Sequence, residues 1–257
     1  MFVYDFDHPS EWVDRFRDFV KPKTADVIRE MREQSEFIHL GLDERAFIAE
    51  PDSPETDRVL REISADFEKS FIRAFHATRL IEPEKIYNDG LQVLDREKHK
   101  ARVQNNFVTN DTVKQKRRNS SWDAWSKDED TRTQCREGSC WLTPSRHHLH
   151  DGGLDLMFER YGGEFMERIS GDPFTPGIQE DDEPGQPTVV LASLPTRWNR
   201  NTLKAGPRRI LDHVLKSLDC DPECKFTPFW DIDVNRDIPP CMIELVCHRD
   251  DARVSCP

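Results

Sequence analysis

A run of strand-forming residues carries a histidine and a threonine two positions apart, Phe71-Ile72-Arg73-Ala74-Phe75-His76-Ala77-Thr78-Arg79-Leu80, and the rest of the chain has to be arranged around it. Side chains alternate along a strand, so His76 and Thr78 emerge on one face and can address one ligand. The continuation Glu84-Lys85-Ile86-Tyr87-Asn88-Asp89-Gly90-Leu91 reads as a short helix. Gly90 at its C′ position stops that helix and returns the chain toward the sheet.

The first 70 residues read as helical. Trp12, Phe16, Phe19 and Val20 form an apolar stripe behind the cap candidate Ser10, and Val27, Ile28 and Met31 continue the pattern after Thr24. Ser53-Pro54-Glu55 supplies a capping hydroxyl, a proline at the first helical position and an early acid. Val59, Ile63 and Phe67 then recur every four residues, which predicts a helix packed against the sheet that His76 enters.

Further strands are expected at Cys140-Trp141-Leu142-Thr143, ended by Pro144, and at Thr188–Leu194, Phe229–Val234 and Met242–Cys247. Leu154, Met157, Phe158, Tyr161, Phe165 and Ile169 mark the most regular helix, and Gly162-Gly163 after Tyr161 suit close approach to the backbone. Another helix follows on Ile210, Leu211, Val214, Leu215 and Leu218, while the Pro-, Gly- and acid-rich stretch 171–187 reads as a connector.

The 36% hydrophobic residues suffice for an ordinary core, and 33% charged residues with a net charge of −12 exclude a general basic field. No long apolar run is present, so no membrane association is expected. The opening Met1–Asp7 has neither a basic nor an apolar leader region, which predicts a cytoplasmic protein, and seven scattered cysteines suit reduced thiols. Residues 96–136 form a charged excursion with basic clusters at Lys98–Arg102 and Lys114–Arg118, followed by Trp122 and Trp125. They suit either solvated surface or contact with a phosphate backbone and a stacked base.

Zinc-ligand types occur at Cys135, Cys140, His147, His148 and His150, and at Cys220 and Cys224, but without the paired Cys-x2-Cys spacing; no metal is expected. Ser193 lacks a nucleophile elbow, and neither a Walker A nor a Rossmann glycine pattern is present.

"FHATRL", the short helix and "GL", with "CWLTPS" and "LDLMFERYGGEF" downstream, resemble the His-Tyr-Glu branch of the ADP-ribosyltransferase fold. The resemblance covers about residues 70–247 outside the excursion and the connector. It implies an α+β domain, residues 71–257, built on a split pair of small, mostly antiparallel sheets around an NAD cleft, beside an N-terminal helical layer, residues 1–70.

The implied activity is transfer of ADP-ribose from NAD to a protein or nucleic acid with release of nicotinamide. His76, Thr78, Arg79 and Tyr161 would contact NAD. The expected catalytic glutamate has no clear counterpart: in "FWDIDVNRDIPPCMIELV", Asp231 is the positional match, Asp233 shares its strand face, and Glu244 lies on the next strand. Such a protein would be a toxin or phage-defence enzyme, with the excursion 96–136 toward a nucleic-acid acceptor and a neutralising protein as a further partner. The alternatives are a non-catalytic nucleotide- or protein-binding module on the same fold, and an NAD-dependent RNA 2′-phosphotransferase drawing on Arg79 and Arg146.

Overall fold

A computed structural model describes residues 2–20, 54–95, 97–98, 101, 137–150, 158, 185–218 and 231–251. In chain order its elements are β1 (Val3–Tyr4), α1 (Ser10–Val20), α2 (Pro54–Phe67) and β2 (Phe71–Leu80), then a 3-10 turn (Pro83–Lys85) leading into the four-residue helix α3 (Ile86–Asp89). There follow β3 (Cys140–Leu142), β4 (Gln186–Pro195), α4 (Arg200–Leu218), β5 (Ile232–Val234) and β6 (Ile243–His248). The architecture is α+β with two small sheets, one in the order β1-β2-β4-β6 and the other pairing β3 with β5. The stripe Val27–Met31, nearly all of the excursion 96–136, the helix around Tyr161 apart from Phe158, and Trp230 lie outside the described residues.

Two compact units divide the chain, Met1–Ile72 with Pro195–Trp230, and Arg73–Leu194 with Asp231–Pro257. The sequence reading places its boundary at residue 70 and leaves 195–230 with the second part. The difference has a packing cause within the first unit. Thr202, Gly206, Ile210 and Val214 recur every four residues on one side of α4 and are buried. At Gly206 a Cβ would come within 2.4 Å of the ring of Phe67, the last residue of α2. Helix α2 buries Val59, Ile63 and Phe67, and α1 buries Trp12, Val13 and Phe16.

Aromatic edges complete this unit: the Tyr4 and Phe67 rings meet at 5.0 Å, and Trp12 Nε1 donates to the Asp5 carbonyl over 2.8 Å. The Tyr4 hydroxyl donates to Asp66 over 2.6 Å, and Arg15 reaches the same carboxylate, so β1, α1 and α2 share one polar tie at the rim of an apolar core. In the pairing of β1 with β2, Val3 and Tyr4 lie parallel to Phe71 and Ile72.

In the second unit β4 runs antiparallel to β2, since Gly185 at its start lies against Leu80. In the first unit Thr196 N donates to Ser70 O over 3.1 Å, and counting inward from the two places sets Arg73 abreast of Ser193 and Phe75 abreast of Leu191. Strand β6 pairs antiparallel with β4, with Leu191 opposite Leu245 and Ala192 opposite Ile243. Glu244 is the extra residue of this β-bulge, a device that bends a strand and re-aims a side chain. Phe75, Ala77, Val189 and Leu191 pack with Leu149 and Phe158 into one apolar cluster.

Gly90 ends α3 as the sequence predicts, with φ of 72°. The returning chain pairs Leu91 with Ile238 through two hydrogen bonds of 3.0 and 2.8 Å. A Cβ at Gly90 would lie 2.1 Å from the Ile238 carbonyl oxygen, whereas Gly138, at φ 73°, has open space around it. Gly90→Ala is therefore expected to destabilise the protein by about 3 kcal/mol, combining left-handed strain with overpacking. Gly138→Ala should cost only the strain, about 1 kcal/mol. Urea unfolding of both variants checks this, and equal losses would contradict the close approach at Gly90.

Candidate functional site

Among the described residues, the two sheets of the second unit meet at one antiparallel bridge. Phe75 and Thr143 exchange backbone hydrogen bonds of 2.7 and 2.8 Å, so the amide and carbonyl of Thr143 face β2. Strand alternation puts the Trp141 carbonyl on that same edge. A continued ladder would offer it an amide of β2; instead, His76 Nδ1 lies 2.7 Å from it. The imidazole thus satisfies a part-buried polar group left without a strand partner where the strands part.

This contact defines the chemistry of His76. A carbonyl only accepts, so Nδ1 carries the proton and Nε2 of the neutral ring carries a lone pair. The half-buried ring makes no other hydrogen bond to the described residues. Burial lowers its pKa below the ordinary 6.5, partly offset by the bond to Trp141, which favours the charged form. His76 is consequently a neutral acceptor at pH 7, suited to a hydroxyl donor.

Thr78, half-buried, shares the face of His76 by strand alternation. Arg79 is turned away and donates to the Phe158 carbonyl over 3.0 Å. Glu244 also lies off the His76 face. One carboxylate oxygen meets Arg73 Nε at 2.9 Å, and the Ser193 hydroxyl donates to the other. Arg73 is three residues from His76 and points to the opposite side of β2. The bulge in β6 is what brings Glu244 into this three-strand cluster.

Strand β5 shows the alternation expected of it. Ile232 and Val234 are buried with Cys140 and Leu142 across the β3–β5 pair, while Asp233 opposes Trp141 and Asp231 is exposed. The structure therefore joins His76, Thr78 and the Trp141 backbone, sets Asp231 and Asp233 on the strand beside Trp141, and keeps Glu244 and Arg79 apart from them. Tyr161 lies outside the described residues.

No group of three or more His, Cys, Asp or Glu positioned to hold a metal occurs among the described residues. Burial, with a smaller contribution from the Asp237 charge, pushes the Cys140 thiol up to about 12. Cys135, Cys220 and Cys224 lie outside the described residues. No described helix is long and apolar enough to cross a membrane. The Arg73–Ser193–Glu244 cluster escapes sequence reading because it depends on strand order and a bulge; an arginine, a serine and a glutamate on separate strands carry no local signal.

No protein-family model, curated protein or solved structure matches the chain.

The depressed His76 pKa links stability to pH. The unfolded chain takes up a proton near pH 6.5 that the folded chain resists, so this contribution is complete above about 6.5 and declines as pH falls toward the folded-state pKa. One proton changes stability by at most about 1.4 kcal/mol per pH unit. His76→Asn, whose amide nitrogen can keep the bond to Trp141, should show a smaller loss of urea-unfolding stability between about pH 7.5 and 5.5. Identical losses in the variant and the parent would contradict the assignment.

Proposed function

We propose that the chain transfers ADP-ribose from NAD to a macromolecular acceptor, releasing nicotinamide. The observation that supports this reading is the neutral His76 at the parting of two small sheets, with its Nε2 lone pair available to a ribose hydroxyl. Thr78, on the same strand face, would bond the nicotinamide amide, and Tyr161 would stack on the ring. The site takes the form of an NAD cleft between the split sheets.

In the reaction, the bond between the ribose C1′ and the nicotinamide nitrogen breaks, and its electron pair leaves with neutral nicotinamide. A nucleophilic atom of the acceptor forms the new bond to C1′ and gives up a proton to solvent. Positive charge builds on the sugar as the first bond lengthens, and a fixed carboxylate beside it lowers the barrier. Asp231 fits this role better than Glu244, because Glu244 is held on the side of β2 opposite His76, where it meets Arg73 and Ser193. The same pairing of Glu244 favours one alternative, a module that binds a nucleotide without turnover.

Nicotinamide release from NAD tests the reading. His76→Asn and Asp231→Asn are each expected to lower turnover about a hundredfold or more, and Glu244→Gln to stay within severalfold of the parent. Loss of activity in Glu244→Gln beside an active Asp231→Asn would reverse the acid assignment. NAD binding without release by the parent chain would establish the non-catalytic module instead.

A further inference from the structure

Helix α4 carries a surface out of keeping with the rest of this acidic chain. From Pro195 to Leu211 there are five cations, Arg197, Arg200, Lys204, Arg208 and Arg209, and no acid, although the whole chain has 49 acids against 37 bases. The helices packed beside it mix the signs: α1 reads SEWVDRFRDFV and α2 reads PETDRVLREISADF. Arg200, Lys204 and Arg208 recur every four residues, away from the buried row Thr202, Gly206, Ile210 and Val214. The exposed Asn201 lies in the first turn of the helix, and Arg197 is exposed in the 3-10 turn Thr196–Trp198 that precedes it.

Arg197, Arg200 and Lys204 are exposed, and none makes an ion pair or side-chain hydrogen bond with the described residues. The stripe begins at the helix end where the backbone dipole opposes positive charge, and no acid stands in the first turn to relieve it. Among the described residues no acid offsets these charges; a bound anion would neutralise them.

The composition of the face distinguishes among polyanions. Exposed large apolar side chains among the described residues are Ile81 and Tyr87, and neither lies on α4. An anionic membrane surface selects helices with an apolar face beside the cations, and a protein partner selects aromatic or aliphatic anchors. A face of cations with an exposed amide and no apolar anchor fits sugar–phosphate backbone, which is held by charge and hydrogen bonds.

We propose that the start of α4, with Arg200 and Lys204 on the helix and Arg197 in the turn before it, is a docking surface for a nucleic-acid strand, gripped through its phosphates. Binding by these three residues is local, independent of base sequence and salt-sensitive, because each neutralised phosphate releases counterions. The proposal draws on no residue of the basic excursion 96–136, and it does not depend on the NAD reading.

The test uses the full chain, a fluorescently labelled mixed-sequence RNA oligonucleotide and no NAD, so its result is independent of any transferase activity. Anisotropy titrations at several salt concentrations are expected to show binding. The triple variant Arg197→Gln/Arg200→Gln/Lys204→Gln should bind at least about tenfold more weakly, with the slope of log affinity against log salt reduced by about 2. A control that removes a cation already paired elsewhere, Lys85→Gln, should retain the parent affinity. The sites are exposed, and unchanged urea unfolding of the triple variant verifies that its fold is intact. Absence of RNA binding by the parent, equal affinity of parent and triple variant, or capture of anionic vesicles in place of RNA would each overturn the proposal.

Discussion

The Trp141 carbonyl has to be satisfied where two sheets separate, and the side chain of His76 does it. A backbone amide in that position would have continued the ladder and fused β2 with β3. By substituting an imidazole for an amide, the chain stops the pairing after Phe75 and Thr143 without leaving a part-buried acceptor unpaired. The same bond selects the tautomer, and burial selects the neutral form, so one contact determines both where the sheets part and which nitrogen is available to a ligand.

Other features hold the separated strands in place from the far side. Leu91 and Ile238 exchange two hydrogen bonds, and Asp237 receives the amide of Val93 over 2.8 Å, so the return from α3 is tied to the segment between β5 and β6. At the outer edge of the larger sheet, the Tyr87 hydroxyl accepts from Val246 N over 2.8 Å. That contact occupies one of the amides that an edge strand otherwise presents to a foreign strand. The Arg73–Glu244 pair is partly exposed and contributes little to stability. Its effect is on position: it keeps the glutamate on the side of β2 away from His76.

Local pattern revealed much of this. The alternation through Phe71–Leu80, the glycine that closes α3, the stripes Trp12–Phe16 and Val59–Ile63–Phe67, and the polar–apolar alternation around Ile232 are short-range properties, and the described elements follow them. Strand β1 has two residues, too few for a period to register. Helix α4 begins nearly three turns before its apolar run, through a stretch containing Pro207 that sequence rules disfavour in a helix. Its assignment to the first unit depends on Gly206 admitting the Phe67 ring, a contact between residues 139 positions apart. The site was legible as residue types: His76 and Thr78 share a face as alternation requires, whereas the pairing of Glu244 and the turning of Arg79 toward Phe158 arise from tertiary geometry.

The functional reading and the architecture both depend on the protonation of one ring. The most direct measurement is the pair of nitrogen-15 chemical shifts of His76 at neutral pH, assigned by comparison with His76→Asn, since protonated and unprotonated imidazole nitrogens resonate far apart. The account predicts a neutral ring with its proton on Nδ1 and an unprotonated Nε2. A proton on Nε2 with Nδ1 bare, or a fully protonated imidazolium, would mean that the Trp141 carbonyl is satisfied in some other way and that Nε2 offers no acceptor to a ribose hydroxyl.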